Sequence, residues 1–174
     1  MAWEIDPVHS QVTFSVKHMM VSTVKGHFRV LSGKLDIDEQ HPESSWVEAE
    51  VDTASIDTRE PNRDGHLRSP DFFDAEHYPK LVFKSKKVEP LGDSEYRVLG
   101  DLTIRGVTRE VAFTGEYSGQ LKDMYGLQRA GLSAKTTINR KDFGLNWNKA
   151  LESGGVLVGD KVNIEIDLAA VQKA

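Results

Sequence analysis

Strict two-residue alternation of apolar and polar side chains, repeated in run after run, is the feature that most restricts how this chain can fold. Gln11–His18 reads QVTFSVKH, with Val12, Phe14, Val16 and His18 on one side and Thr13, Ser15 and Lys17 on the other. Successive side chains of a strand point to opposite faces, so the pattern marks a strand with one face buried and one in water. It returns over residues 24–31, where Gly26, Phe28 and Val30 alternate with His27 and Arg29, then through Leu35 and Ile37. Trp46–Asp52 sets Val47, Ala49 and Val51 against Glu48 and Glu50. Later runs align Tyr96, Val98, Gly100, Leu102 and Ile104; Val111 and Phe113; Ala130, Leu132, Ala134, Thr136 and Ile138; and Val162, Ile164, Ile166 and Leu168. Short links such as Arg105-Gly106-Val107-Thr108 predict antiparallel hairpins. About eight such strands predict an all-β fold, stacked as a sandwich or closed as an antiparallel barrel, and closure removes unpaired edges.

One stretch breaks the rule. Residues 63–85 read RDGHLRSPDFFDAEHYPKLVFKS. Ser69-Pro70-Asp71 carries a helix start signal, a capping hydroxyl followed by a proline tolerated in a first turn. The adjacent Phe72 and Phe73 are then expected to lie over one end of the sheet structure. Tyr78-Pro79 forces extended geometry and returns the chain to a strand at Leu81-Val82-Phe83.

Composition removes several classes of function. With 174 residues the chain is expected to form one domain, residues 1–174, with a substantial core. A net charge of -5 argues against a nucleic-acid surface. No cysteine is present, so disulfide and thiolate chemistry are absent. No apolar run approaches the ~20 residues of a membrane span. The N-terminal residues lack the basic and apolar regions of a signal peptide, so a cytoplasmic location is expected.

The residues give little support to catalysis. Six histidines invite a metal site, but His9 and His18, or His66 and His77, lack ligand spacing, and hydrogen-bonding histidines at turns are the simpler reading. His66 and Arg68, helped by Arg63, form either a polar mouth for an anionic head group or an ordinary salt-bridged cap with Asp64 and Asp71. His9 and Ser10 are adjacent, so on a strand they would diverge, and no G-x-S-x-G elbow occurs. Small residues recur on the inward faces at Gly26, Gly100, Ala130 and Ala134, which fits either a cavity or relief of crowding between coiled strands.

The chain resembles the YceI-like family of polyisoprenoid-binding proteins along nearly its whole length. The resemblance rests on H-S-x-V-x-F-x-V-x-H from His9 to His18 and G-x-F from Gly26 to Phe28. Its most specific part is R-D-x-H-L-x-S-x-D-F-F-D from Arg63 to Asp74, followed by Tyr78-Pro79 and F-x-S from Phe83 to Ser85. G-x-L-T-I-R-G-V-T from Gly100 to Thr108 and R-x-D-F-G-L from Arg140 to Leu145 complete it. The resemblance implies an extended, eight-stranded, lipocalin-like barrel holding a long isoprenoid chain, as a homodimer, with no metal, no cofactor and no catalytic residue. Many members carry a signal peptide and work in the periplasm, a location that does not carry over to these N-terminal residues.

The implied ligand is physically reasonable. A strand of about 10 residues spans roughly 33 Å, and each buried methylene contributes about 0.8 kcal/mol. Alternation and the aromatic pair nominate Phe14, Val16, Phe28, Val30, Phe72, Phe73, Leu132 and Trp147 as ligand-lining residues, with His18 and His66 as polar candidates. The expected function is non-enzymatic carriage, storage or sensing of a long-chain isoprenoid lipid. An enzyme acting on a prenyl substrate and a ligand-free structural or partner-binding barrel are the alternatives.

Overall fold

A computed structural model of the chain describes residues 3–149, 151 and 156–172. Its strands are β1 (Trp3–Ile5), β2 (Gln11–His18), β3 (Ser22–Phe28), β4 (Leu31–Asp36), β5 (Trp46–Asp52), β6 (Ile56–Asp57), β7 (Lys80–Gly92), β8 (Glu95–Ile104), β9 (Val107–Lys122), β10 (Gln128–Asn139) and β11 (Val158–Gln172). The helix α1 (Pro61–Arg68) interrupts them between β6 and β7.

Every strand pairing is antiparallel, and eight strands close on themselves in the order β1-β4-β5-β7-β8-β9-β10-β11, with β11 bonded back to β1. The expected barrel is therefore present. A second leaf, β2-β3-β6, continues the sheet from the first half of β11, which pairs with β2 from Val158 to Asp167. The end of β11, Ala170 to Gln172, pairs instead with β1. Three residues thus close the ring, and they are held by burial: Trp3 and Ile5 sit in the core with Leu31 and Leu35 of β4 and Ala170 of β11. The hairpin between β8 and β9 turns at Arg105 and Gly106, with φ of 51° and 73°. Positive φ at both central residues is what a type I′ turn matched to strand twist requires.

The helical excursion exists, but it begins earlier than the Ser-Pro-Asp signal indicated. Glu60 caps it by accepting from the backbone N–H groups of Asn62 (3.2 Å) and Arg63 (2.7 Å), and Pro61 occupies the first turn. Ser69 stands at the other end, where its hydroxyl donates to the carbonyl of His66. Its own carbonyl accepts from the N–H groups of Phe72 and Asp74. A serine before Pro-Asp satisfies a tight turn as well as a helix start, and here the preceding Glu-Pro provides the stronger cap.

The inward glycine at position 100 relieves crowding. A Cβ at Gly100 would stand 2.4 Å from the Lys84 carbonyl oxygen and 2.6 Å from the Phe83 ring. Gly65, in contrast, faces open space within α1. Gly100→Ala is therefore expected to destabilise the barrel by about 2 kcal/mol or more through overpacking, whereas Gly65→Ala should stabilise it by roughly 0.5–1 kcal/mol through helix propensity. Urea unfolding of the two variants checks the opposite signs.

A charged clamp ties the chain after β1 to the hairpin between β9 and β10. Arg129 donates to Asp6 (2.9 Å) and to Asp123 (2.6 Å), and His9 lies 2.6 Å from the Asp6 carboxylate. The His9 hydrogen bond, the Val8 N–H and Arg129 together hold the Asp6 carboxyl down at about 2, against the opposing effect of burial. A depressed carboxylate contributes stability that is complete above its unfolded pKa and is lost as pH falls toward the folded value. Asp6→Asn should lower the melting temperature by a few degrees at neutral pH, consistent with roughly 1 kcal/mol after solvent screening. The difference from wild type should shrink as pH falls from about 4 to about 2, which thermal unfolding across that range measures.

Candidate functional site

The inward faces of the ring strands and of β2 enclose a cavity of about 290 Å³. Alternation places its walls: Val12, Phe14 and Val16 on β2; Val98 and Leu102 on β8; Phe113 and Tyr117 on β9; Leu132 on β10; and Val162, Ile164, Ile166 and Leu168 on β11. Nearly every wall is apolar, so a ligand here gains chiefly from removal of hydrocarbon from water.

One end is sealed. Leu67 of α1, Phe72 and Phe73 after it, and Leu145 close the bore there. Aromatic contacts run across this end: Phe14 to Phe28 (5.7 Å between centroids), Phe28 to Phe73 (5.9 Å, edge-on) and Phe72 to Trp147 (5.3 Å). His66 meets Phe72 at 5.0 Å and Trp147 at 4.7 Å, edge-on to both, while its Nε2 lies 2.9 Å from the Asp71 carboxylate.

Behind the aromatics lies a buried cation. Arg140, 3% exposed, donates to the carbonyls of Gly159 (2.8 Å), Trp147 (2.9 Å), Val158 (3.3 Å) and Leu145. Burial pushes its pKa down, yet the neighbouring carbonyls satisfy the guanidinium donors. Phe143 and Leu145 bury beside it, and Gly144 turns the chain between them with φ 76°. The R-x-D-F-G-L sequence is thus a plug, in which one arginine fastens the loop from Arg140 to Trp147 onto the start of β11.

The opposite end is a half-open rim. Glu39, Pro42, Ser45 and Trp46 approach it from the connection between β4 and β5, and Tyr96 and Tyr117 from the walls of β8 and β9. Trp46 is 40% exposed. Tyr117 differs from its neighbours. Its hydroxyl oxygen is buried, with Gln120 and Glu39 as its polar neighbours. Burial pushes its pKa up to about 12, against the opposing hydrogen bond with Gln120 and with the Glu39 carboxylate adding to the rise, so it stays protonated.

Of the residues nominated from sequence, Phe14, Val16, Phe28, Phe72, Phe73 and Leu132 line the cavity. Four do not. Val30 is 48% exposed because β3 ends at Phe28 and the backbone turns away, with the Arg29 N–H bonded to Ser55. The alternation was extended one step past the end of its strand. His18 closes β2 opposite Val158 and Ser22, beyond the last wall residue, Val16. Trp147 and His66 form a second layer that backs Phe72.

Arg63 and Arg68 form no polar mouth, because backbone and hydroxyl acceptors engage both. Arg63 donates to the hydroxyl and carbonyl of Thr58, and Arg68 to the carbonyls of Ala54 and Ile56. Asp64 accepts from Thr58 rather than from an arginine. Together these bonds fasten α1 to the segment around β6. Four histidines, His9, His41, His66 and His77, each lie beside an aspartate three to five residues away in a turn or helix end. Among the described residues, no group of three or more His, Asp or Glu converges as a metal site would need.

Sequence reasoning missed Tyr96 and Tyr117 as site residues. The signal was present: Tyr96 begins an inward-facing run, and continuing the Val111-Phe113 alternation two steps reaches Tyr117. Trp46 has no such signal, because it enters from a strand end beside an irregular connection.

This architecture recurs in known proteins. BcnA of Burkholderia cenocepacia superposes with a TM-score of 0.84 over 95% of this chain and 98% of its own, at 24% identity. A polyisoprenoid binding domain from Saccharophagus degradans, implicated in plant cell wall breakdown, gives 0.72 over 98% of each chain at 17% identity. These likenesses concern the fold. In sequence, a UPF0312 protein of Staphylococcus epidermidis is 43% identical over 164 residues, spanning 94% of this chain and 93% of its own length. The model of the YceI-like domain matches residues 3–170, the span from the first closing strand to the last, and the chain belongs to that family.

Proposed function

We propose that the barrel binds a long-chain polyisoprenoid or a similar amphiphilic lipid in its apolar interior, and that it carries, stores or senses this lipid without chemically altering it. The observation that carries this reading is the cavity itself, walled by aliphatic and aromatic side chains from the Phe72–Phe73 plug to the rim at Tyr117. The polyisoprenoid binding domain that shares the fold supports the ligand class. About 290 Å³ lies at the lower edge of the roughly 300–1,000 Å³ common for ligand pockets. A long tail therefore threads the bore as a single extended strand and continues into the rim rather than coiling inside.

Native mass spectrometry of the freshly purified protein, followed by organic extraction, tests this directly. A discrete adduct that extracts as a prenyl lipid is the expected result. Val98→Trp, which projects an indole across the bore, should abolish retention while costing about 1–3 kcal/mol of stability. Adduct retention by a folded Val98→Trp protein would place the lipid elsewhere. Turnover of a prenyl substrate would instead support an enzyme.

We also propose that the protein is a homodimer. β3 pairs with β2 along its length, but among the described residues its other edge meets β6 only at His27 and Phe28. Among the described residues, that leaves the edge around residues 22–25 open to strand addition by a second copy. Sedimentation velocity should give twice the monomer mass; a monomer at tens of micromolar would remove this part of the reading.

A further inference from the structure

At the open end of the barrel, the hairpin between β9 and β10 projects past the wall. β8 begins at Glu95, opposite Glu116, whereas β9 continues to Lys122. The tip beyond it is a built turn. The Asp123 carboxylate accepts from the backbone N–H groups of Tyr125 (2.8 Å) and Leu127 (3.0 Å) and from Arg129. The Asp123 N–H donates to the Leu127 carbonyl (2.8 Å), and Gly126 takes the left-handed position that closes the loop, with φ 82°. What this turn presents to water is apolar. Met124 is 87% exposed and Tyr125 80%, and the flanking Leu121 and Leu127 are exposed as well. Leu91 stands exposed beside the neighbouring turn between β7 and β8, where the Ser94 carbonyl accepts from the Tyr117 N–H. Trp46 completes the group on the rim itself.

A fixed turn that holds bulky apolar side chains in water marks an interaction surface, and its place selects the occupant. It borders the mouth through which an apolar cargo enters or leaves the bore, and such a cargo resides in membranes rather than in water. Charge argues against a second copy. Two barrels set mouth to mouth would bring Asp36, Asp38 and Glu39 of each against those of the other. The β3 edge assigned above to a dimer lies toward the sealed end, where Ser22 pairs with His18 and His18 with Val158. A zwitterionic bilayer meets neither obstacle. Tyrosine suits its boundary, with the ring toward hydrocarbon and the hydroxyl among head groups. Because Asp123 already fixes the turn, insertion orders little that was free. Resting on the lipid-binding reading above, we propose that the open end docks on a zwitterionic bilayer surface through this tip, Met124 and Tyr125 foremost. The contact sets the mouth against the membrane from which the lipid is taken or to which it is returned.

Flotation of the full chain with phosphatidylcholine vesicles measures the docking. The protein should float with the vesicles. The double variant Met124→Asp, Tyr125→Asp should lower its partition coefficient at least about tenfold and leave the melting temperature unchanged, since both side chains lie outside the core. Met20→Asp is the control, in the exposed turn between β2 and β3 at the opposite end, and should change partitioning by less than about twofold. Replacing phosphatidylcholine with phosphatidylglycerol should weaken binding at low ionic strength, and added salt should restore it. A wild-type protein that stays behind, a tip variant that floats like the wild type, or a loss that follows Met20 instead would each overturn the proposal. So would a tip variant that turns a dimer into a monomer in sedimentation velocity, which would assign the tip to a second copy. Native mass spectrometry keeps the two readings apart. Protein that retains a prenyl adduct but does not float removes the docking alone. Protein that floats through its tip yet never carries an adduct supports the docking and removes the lipid-binding reading.

Discussion

The division of hydrogen bonds along β11 is the constraint on which the rest of the structure depends. One edge of this strand is bonded to β10 from Arg129 to Asn139. The other edge is shared, first by β2 and then, over its last residues, by β1. Without the second partner the sheet would be an open leaf, with β1 and β4 carrying unsatisfied edge groups on one side. With it, the sheet closes and the interior becomes a space that water does not enter freely. Three paired residues are a weak closure by hydrogen bonding alone. Burial of Trp3 and Ile5 and the Asp6–Arg129–Asp123 clamp hold them in place.

A closed ring still has two open ends, and the chain treats them differently. At one, α1 and the following Phe72-Phe73 segment lie across the bore, and the Arg140 loop packs behind them. Charge buried this deeply is tolerated only when its donors are met, and arginine suits the position because its fork reaches several carbonyls at once. A lysine could satisfy only part of the set from a single point. Arg63 and Arg68 play a related role on α1, tying the helix to backbone carbonyls of the β6 region. The sealed end is therefore built from arginine–carbonyl bonds and aromatic contacts, and its cations are spent on structure.

The ring was largely legible in the sequence because most of its strands bury one face and keep the other wet, which writes itself as alternation. That rule located the body of β2, β5, β8, β9, β10 and β11, and with them Phe14, Val16 and Leu132 on the cavity wall. It failed where its physical basis fails. β1 and β6 are too short for a period to be counted, so the strand that closes the ring left no signal. Val30 continues the alternation in sequence after the strand has ended in space. Trp147 is apolar and half-buried, but it packs behind Phe72 instead of facing the bore. Small inward residues allowed either a cavity or tight coiling, and Gly100 turns out to serve coiling, since Phe83 and the β7 backbone fill its Cβ position. The empty space comes from elsewhere, from the gap between the plug and the rim.

An apolar bore discriminates weakly by itself, because one methylene more or less changes binding by only about 1–3 kcal/mol. Lengthening the wall raises affinity for every hydrocarbon tail together and does not separate one from another. Discrimination has to arise where the lining changes character, and in this barrel that happens at the rim. There the buried Tyr117 hydroxyl stands beside Gln120 and Glu39, with hydrocarbon on one side and water on the other. A site that leaves a polar group unsatisfied by the wrong ligand rejects it more strongly than a pocket that merely fits less well. The plug and the rim thus differ in kind: at one end the arginine is engaged by backbone carbonyls, and at the other tyrosine and carboxylate side chains edge an opening to water.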